Sequence, residues 1–261
     1  MDLGLQGKTA VVTGASRGIG LATAQALAAE GAQVVGVART VTAEMKEACA
    51  LVVSADLSGA DGVQECADVV LEAFGRVDVL VNNVGGGDAP TLAPFVELTD
   101  DHWDEMFQLN LFAAVRLTRA LVPSMIAAGG GSIVNVSSIG AWKPEGPPLA
   151  YNVSKAALRA FGIGLAGELG QHGIRVRNAT PGPTRTAVWE GDRSLGAELA
   201  RVTGAPQEAI VAGVPAQFGM ATGRLVEPAE VASLIVYLAS PRADSITGSD
   251  HLVDGGAIRL L

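Results

Sequence analysis

Tyr151 and Lys155 are spaced four residues apart, and Ser138 lies thirteen residues before the tyrosine. If the run from 151 to 155 is helical, positions i and i+4 share one face, so the phenol and the ammonium point into the same space. A cation beside a phenol favours the phenolate and is expected to lower a pKa of about 10 towards working pH. The pair could then act as a general acid and base, although this spacing alone is common.

The composition predicts one large domain with a substantial buried core. Of the 261 residues, 49% are hydrophobic and only 17% are charged, and the net charge is −9. This length suits a single domain better than two small ones. The acidic balance argues against nucleic acid as the main partner, because a phosphate backbone requires a basic face.

Neither a disulfide framework nor a metal site is expected. Cys49 and Cys66 are the only cysteines, and the three histidines lie far apart in the sequence. Residues 1–8 lack a basic region followed by an apolar stretch, and no apolar run reaches the ~18 residues that span a bilayer. We therefore expect a cytoplasmic protein without a membrane partner.

Short apolar runs alternate with alanine-rich segments of helical period, which predicts βαβ units and a parallel sheet. The predicted strands are 9–13, 33–38, 50–54, 77–82, 132–136, 174–179 and 251–253. The predicted helices are 18–30, 61–74, 100–127, 149–171 and 228–239. Pro123 is expected to kink the longest helix or to end its regular part. Residues 183 to about 224 are polar and weakly helical, as expected for an insertion over a site.

A glycine-rich turn, TGASRGIG at 13–20, follows the first predicted strand and opens the first helix. Gly14, Gly18 and Gly20 allow a tight turn and close approach of the backbone to a pyrophosphate, which a helix N-terminus favours electrostatically. The turn therefore predicts a dinucleotide site. The alternative is a glycine-rich connection of the kind found in any α/β domain.

The end of the second predicted strand indicates which dinucleotide is bound. A carboxylate there would bind a free ribose 2′-hydroxyl, but residues 37–40 include no acid. Arg17 and Arg39 instead offer two guanidinium groups that suit a 2′-phosphate, unless both are merely solvated. NADP(H) is therefore favoured over NAD(H). Asp56 and Leu57 could hold the adenine edge, the alternative for the aspartate being a helix cap or turn.

Several motifs, taken together, resemble the classical short-chain dehydrogenase/reductase family along almost the full chain. They are the glycine turn, Asn82-Asn83-Val84-Gly85, Asn110 in the long helix, Ser138, the Tyr151/Lys155 pair, and Pro181-Gly182. Their joint order and spacing are specific, although each motif is modest by itself. The resemblance implies a Rossmann-type, doubly wound sheet of seven parallel strands, nicotinamide-dependent chemistry at a carbonyl or alcohol carbon, and a homotetramer or homodimer.

The resemblance also implies roles for individual residues. Tyr151 would donate a proton to the carbonyl oxygen, and Ser138 would hydrogen-bond that same oxygen. Lys155 would lower the tyrosine pKa and hold the nicotinamide ribose, while Asn110 would position a water. The implied cofactor contacts are Gly14, Ser16, Arg17, Gly18, Ile19, Gly20, Arg39, Asp56, Leu57, Asn83, Tyr151, Lys155, Pro181, Gly182, Thr184 and Thr186. For the two threonines, ordinary turn or capping chemistry is the alternative.

Two positions depart from the family pattern. Val84 stands where alanine is usual, and Arg177 stands where the strand before Pro-Gly commonly has asparagine. Neither belongs to the implied catalytic set, although Arg177 is expected to change local hydrogen bonding.

Three functions remain open from the sequence. The first is an NADP(H)-dependent oxidoreductase acting on a ketone or secondary alcohol of a small metabolite. The second is a reductase of 3-oxoacyl thioesters, which is less favoured because the insertion mixes arginines (Arg185, Arg193, Arg201 and Arg224) with acids and so lacks a basic docking patch. The third is a non-catalytic nucleotide-binding regulator, which would need no such set of four residues. Trp142 and Trp189 are candidates for substrate contact, and packing is an equally good alternative for each of them.

Overall fold

The computed structural model describes residues 2–86, 92–145, 148–192 and 194–259. Their strands form one sheet of seven parallel strands in the order β3-β2-β1-β4-β5-β6-β7. The strands are β1 Thr9–Thr13, β2 Gln33–Ala38, β3 Leu51–Ser54, β4 Val79–Asn82, β5 Gly131–Val136, β6 Ile174–Pro181 and β7 Ser249–Val253. The predicted Rossmann-type, doubly wound single-domain fold is confirmed.

Helices cover both faces of the sheet, as crossover connections between parallel strands require. They are α1 Gly18–Ala29, α2 Ala43–Ala48, α3 Ala60–Phe74, α4 Asp100–Phe107, α5 Ala113–Ala127, α6 Leu149–Leu169, α7 Leu195–Thr203, α8 Gln207–Gln217 and α9 Pro228–Ala239. One apolar core forms where α1 and α9 pack on the sheet, and a second forms under α3, α5 and α6. The central strands are buried on both faces, which explains their continuous apolar runs.

The longest predicted helix, 100–127, is not one regular α-helix. Its α-helical geometry is interrupted by a π-helical segment, Gln108–Phe112, and α5 then continues through Pro123. The prediction that Pro123 could end the regular part is therefore wrong. A π segment is rare and frequently marks a functional site, and this one contains Asn110.

The stretch Asp100–Ala127 has a further property that the sequence reading did not anticipate. By length and composition it could cross a bilayer, with a mean hydropathy of 1.3 over its most apolar window, and it is the one such helix among the residues described. A core helix of a globular domain meets the same criterion, and 39% of that window is buried within this fold.

The predicted insertion, 183–224, contains the two helices α7 and α8, and Arg193 within it lies outside the described residues. Trp189 packs with Val214 and Leu225 in a small apolar cluster separate from the two main cores. The Gln207 amide donates to the Trp189 carbonyl oxygen at 2.9 Å. Trp189 therefore serves as packing within the insertion, because its side chain is buried there.

Candidate active site

The strand order reverses between β1 and β4, so the carboxyl ends of these neighbouring strands open a crevice. The glycine turn lies at this point. Gly14 and Gly18 have φ of +67° and +56°, which favour glycine. A Cβ at Gly20 would lie 2.2 Å from the Gly14 carbonyl oxygen, so a side chain there is excluded. The turn is therefore closed by backbone packed on backbone, which requires glycine.

Asn83 holds the glycine turn against β4. Its side-chain amide donates to the Thr13 carbonyl oxygen at 2.8 Å, and its backbone N–H donates to Thr13 Oγ1 at 2.9 Å. A Cβ at Gly14 would lie 2.8 Å from the same amide nitrogen. In the structure, the Asn83 side chain thus holds the glycine turn in place through contacts with Thr13 and Gly14.

The turn fits a pyrophosphate. The side chain of Arg17, the N-cap residue of α1, makes no capping bond, and the first turn of the helix carries no acid. A helix N-terminus that follows a turn with glycines at 14, 18 and 20 is suited to an anion. A Cβ at Gly18 would lie 3.2 Å from the methyl group of Thr186, so the segment after β6 passes close over the turn. A dinucleotide would be held between these two segments.

Arg17 and Arg39 are exposed, the first within the glycine turn and the second directly after β2. Ser54 Oγ donates to the Arg39 carbonyl oxygen at 3.1 Å and so fixes the backbone that carries this arginine. The Asp56 carboxylate accepts from the backbone N–H and hydroxyl of Ser58, at 3.0 and 2.8 Å. These bonds, with a smaller contribution from Arg39, lower the pKa of Asp56. Asp56 therefore stabilises a local turn, which is the alternative to adenine binding given for it above.

Leu57 and the residues after β6 are placed mainly by packing. The Leu57 side chain is buried in the core under α3, so only its backbone is left for a cofactor. A Cβ at Gly182 would lie 2.8 Å from Asp254 Cα, which holds Pro181-Gly182 tightly against the chain after β7. Thr184 Oγ1 donates to the Gly182 carbonyl oxygen at 2.9 Å. This last bond is ordinary turn chemistry.

Ser138, Tyr151 and Lys155 are brought together where β5 ends and α6 begins. Ser138 follows β5, and its side chain lies close enough to that of Tyr151 to influence the tyrosine pKa. Lys155 lies one helical turn beyond Tyr151, with its ammonium 5.9 Å from the centre of the phenol ring. The neighbouring Ser137 points elsewhere, because its hydroxyl donates to the Lys155 carbonyl oxygen at 3.3 Å.

The expected lowering of the Tyr151 pKa is not present in this structure. Burial raises the pKa of Tyr151, and the hydrogen bond from Ser138 opposes this only in part. Burial also lowers the pKa of Lys155 to about 8. Lys155 is 3% exposed, and its ammonium donates to the Val136 carbonyl oxygen at 2.8 Å. The sequence argument was wrong here because it counted the charge of the lysine but not the desolvation of both groups.

Asn110 is linked to the tyrosine through a residue that the sequence analysis missed. The Asn110 amide donates to Ser154 Oγ at 3.0 Å, and Ser154 in turn donates to the Tyr151 carbonyl oxygen at 2.8 Å. Asn110 Oδ1 accepts from the Gly86 backbone N–H at 2.6 Å. A Cβ at Gly85 would lie 2.5 Å from Asn110 Oδ1 and 2.7 Å from Lys155 Nζ, which shows how closely these groups approach.

A row of buried asparagines crosses the sheet beneath this site. Asn82, Asn135 and Asn178 are register partners on β4, β5 and β6. Their side chains are joined by hydrogen bonds of 2.9 and 3.3 Å, and Asn178 donates to the Arg159 carbonyl oxygen on α6 at 3.0 Å. Polar residues inside otherwise apolar strands were the available signal for this row, since a buried amide needs partners.

A doubly wound parallel sheet with a glycine turn at its switch point, beside a serine, a tyrosine and a buried lysine, defines a nicotinamide-dependent oxidoreductase. The model of the short chain dehydrogenase family matches residues 8–195. This chain belongs to the short-chain dehydrogenase/reductase family, whose members act on CH–OH groups with a nicotinamide cofactor.

Similar proteins act on sugars and sugar alcohols. The chain is 35% identical to D-threitol dehydrogenase of Mycolicibacterium smegmatis, over 98% of this chain and 94% of that protein. It is 32% identical to sorbitol dehydrogenase of Cereibacter sphaeroides, over 97% and 98%. Among solved structures, L-sorbose reductase of Gluconobacter frateurii, complexed with NADPH and L-sorbose, is 38% identical with a TM-score of 0.91 and full coverage of both chains.

Proposed function

We propose that this protein is an NADP(H)-dependent oxidoreductase that interconverts a ketose and a sugar alcohol. The observation that carries the proposal is the grouping of Ser138, Tyr151 and Lys155, with the lysine ammonium 5.9 Å from the centre of the phenol ring, at the edge of the sheet where the glycine turn lies. The class of reaction follows from the family. The cofactor preference, the substrate class and the residue roles are the proposed part.

In reduction, the phenol of Tyr151 donates its proton to the carbonyl oxygen of the substrate. Ser138 Oγ, which lies beside Tyr151, donates a hydrogen bond to that same oxygen and stabilises the negative charge that develops there. The nicotinamide, when bound, supplies the hydride or takes it up. In oxidation, Tyr151 takes the proton from the alcohol.

Lys155 connects the tyrosine to the rest of the site. Burial brings the pKa of its ammonium to about 8, so that it can release and regain a proton near neutral pH. Its ammonium would also hold the ribose hydroxyls of the cofactor. Asn110, whose amide is held by Ser154, lies near the lysine and would position the water through which the proton reaches solvent.

The preference for NADP(H) rests on the basic residues at the adenosine end. Arg17 and Arg39 lie exposed there, and the 2′-phosphate of NADP(H) suits two guanidinium groups. The structural relative from Gluconobacter frateurii is complexed with NADPH, which supports the same choice. The remaining cofactor contacts are the glycine turn and residues 181–186.

The substrate class rests on the relatives and on the charges of the insertion. Arg201 and Arg224 pair with Glu198 at 2.6 Å and with Glu230 at 2.7 Å, and Arg185 pairs with two glutamates. These pairs neutralise the three arginines of the insertion that the structure describes, which disfavours docking of an acidic thioester carrier. Small neutral polyols or ketoses are therefore favoured over 3-oxoacyl thioesters.

Cofactor choice is tested by Arg39→Asp. We expect the ratio of kcat/KM for NADPH to kcat/KM for NADH to fall by roughly 10²-fold, because a carboxylate repels the 2′-phosphate and accepts a bond from a free 2′-hydroxyl. The matched control is Arg242→Asp, an exposed arginine bound to the Asp2 carbonyl oxygen, which makes the same charge change elsewhere. An unchanged ratio in Arg39→Asp would refute this role of the side chain.

Substrate class is tested with a fixed panel. L-sorbose, cyclohexanone and acetoacetyl-coenzyme A are supplied with NADPH, and D-threitol is supplied with NADP⁺, while absorbance at the nicotinamide band is followed. We expect turnover of the sugar or the polyol and little turnover of the thioester. The predicted homotetramer or homodimer and the cytoplasmic location stay predictions.

A further inference from the structure

A buried carboxylate on the edge strand β7 accepts hydrogen bonds from three other elements. Asp250 Oδ2 accepts from Trp142 Nε1 at 2.8 Å and from Arg159 Nε at 2.5 Å, and Oδ1 accepts from Thr180 Oγ1 at 2.5 Å. The Asp250 side chain is only 3% exposed. Bonds of this kind to an ionised, buried acceptor are stronger than those between neutral groups.

Each donor belongs to a segment that carries part of the proposed site. Trp142 ends the 3₁₀ turn Ile139–Ala141, which Ser138 begins. Arg159 lies on α6 one helical turn beyond Lys155. Thr180 immediately precedes Pro181-Gly182, at the end of β6. A single carboxylate thus connects the serine, the tyrosine–lysine helix and the segment proposed to pass the nicotinamide.

Trp142 is held at both its edge and its face. The Arg159 guanidinium lies 4.1 Å from the centre of the Trp142 ring, a cation–π contact, while the ring nitrogen is bound to Asp250. The turn between Ser138 and Trp142 is short and internally bonded. Ser138 Oγ accepts from the Gly140 N–H at 3.1 Å, and the Ala141 N–H donates to the Ser138 carbonyl oxygen at 2.9 Å. Fixing Trp142 therefore fixes Ser138.

We propose that Asp250 is a positioning residue that, through Trp142 and Arg159, holds Ser138 in place beside Tyr151. This inference rests on the proposed function, in which Ser138 and Tyr151 share the oxygen of the substrate. Asp250 touches neither the reacting atoms nor Tyr151. Its effect on the reaction is exerted through Trp142 and Arg159, two of the three side chains that it binds.

The test is Asp250→Asn in the full chain, which keeps the size of the side chain and removes its charge. With NADPH and L-sorbose, or the panel compound that the wild type reduces fastest, kcat should fall by roughly 10²-fold, since a displacement of about 1 Å has effects of that size. KM for NADPH should stay within about two-fold, because the glycine turn lies on the other half of the sheet and the amide oxygen of the asparagine can still accept the hydrogen bond from Thr180. A protein that is merely destabilised would not show a large fall in kcat together with a nearly unchanged KM for NADPH.

Asp78→Asn is the matched control. Asp78 is also a largely buried carboxylate with several donors, namely the Thr9 N–H, Lys8 and Arg76, but it lies at the amino edge of the sheet. It undergoes the same chemical change as Asp250→Asn. We expect it to lower the urea midpoint while kcat and KM of the folded enzyme stay unchanged.

Trp142→Phe covers the case in which Asp250→Asn does not fold, because it removes the ring N–H that Asp250 binds and keeps a smaller aromatic ring beside Arg159. Hydrogen–deuterium exchange of residues 139–143, without cofactor, should become roughly 10-fold faster in this variant and in Asp250→Asn, since the turn opens locally. The proposal is overturned if residues 139–143 exchange at the wild-type rate in both variants. If Asp250→Asn does not fold, a wild-type rate of exchange in Trp142→Phe alone overturns it. A wild-type kcat in Asp250→Asn also overturns it.

The exchange measurement also separates this proposal from the proposed function. If the wild type turns over no compound of the panel, the proposed function fails, whereas faster exchange in the variants would still show that Asp250 holds the turn. If the wild type turns over substrate but the variants have the same kcat and the same exchange rate at residues 139–143 as the wild type, only the positioning role fails.

Discussion

Lys155 and Arg177 are both buried cations on the β5–β6 half of the sheet, but they lie towards opposite ends of it. Lys155 is 3% exposed near the carboxyl edge, and Arg177 is 0% exposed on β6 near the amino edge. Burial lowers the pKa of Lys155 to about 8 and that of Arg177 to about 10. Loss of contact with water therefore disfavours the charged form of both side chains.

Their hydrogen bonding differs sharply. The Arg177 guanidinium donates to three backbone carbonyl oxygens, those of Leu238, Ala243 and Ile246, and to Ser132 Oγ at 2.9 Å. Among the described residues, the Lys155 ammonium has one such acceptor, the Val136 carbonyl oxygen at 2.8 Å. The planar fork of arginine suits several fixed acceptors, whereas the lysine keeps donors for another partner.

This contrast separates a cation that stabilises the fold from one that is available for chemistry. Arg177 joins β6 to β5 and to the chain from the end of α9 to β7. Lys155 is left with unused donors and a pKa near working pH, which suits a group that handles protons and ribose hydroxyls. Changes at the carboxyl edge should therefore alter the rate, and changes around Arg177 should alter stability.

The largest expected effect on rate is that of Tyr151→Phe. We expect kcat to fall by about 10³- to 10⁴-fold, because the variant lacks the group that exchanges the proton. The free energy of unfolding and the affinity for NADPH should change little. Steady-state kinetics, urea unfolding and NADPH fluorescence titration measure the three quantities.

The control is Tyr237→Phe, which removes the hydroxyl of the only other tyrosine, a partly exposed residue of α9. It should retain wild-type turnover. Full turnover in Tyr151→Phe would remove the catalytic assignment altogether.

The largest expected effect on stability is that of Arg177→Met. The free energy of unfolding should fall by about 3 kcal/mol, because several buried acceptors lose their donors. The kcat of the folded enzyme should remain within about two-fold. Arg177→Lys should recover only part of the loss, since one ammonium cannot reach all of the acceptors. A large fall in kcat without loss of stability would contradict the contrast with Lys155.

The smallest expected effect is a pH dependence carried by Lys155. Because its pKa in the folded protein is lowered to about 8, below the ordinary value of 10.5, burial disfavours the protonated form. The cost is fully present below pH 8. As pH rises above 8 the unfolded chain binds more protons than the folded one, so stability rises.

The wild type should therefore gain about 2 kcal/mol of stability relative to Lys155→Met between pH 8 and 10. Urea unfolding of both proteins across this range measures the difference. Arg177→Met provides the comparison, because the corresponding window for Arg177 begins only at about pH 10. A constant difference between the wild type and Lys155→Met would show that Lys155 is not desolvated as the structure indicates.

Much of the fold could be predicted because local patterns and final structure agree. The bounds of β1, β2 and α9 match the prediction, since continuous apolar runs and a proline at the start of a helix are strong local signals. The six-residue helix α2 was missed, and α7 and α8 were seen only as weakly helical. Helices this short depend on tertiary contacts more than on their own propensity.

The sequence by itself determined which chemical groups are present and in which order: the glycine turn, Ser138, the Tyr151/Lys155 pair and the absence of an acid after β2. These motifs are defined by residue type and spacing, both of which are given by the amino-acid sequence. The tertiary structure alone decided their environment. The desolvation that raises the Tyr151 pKa, the asparagine row under the sheet and the anchoring of Trp142 by Asp250 all join residues distant in sequence. Burial and long-range hydrogen bonding exist only once the strands and helices have packed, so no local pattern could reveal them.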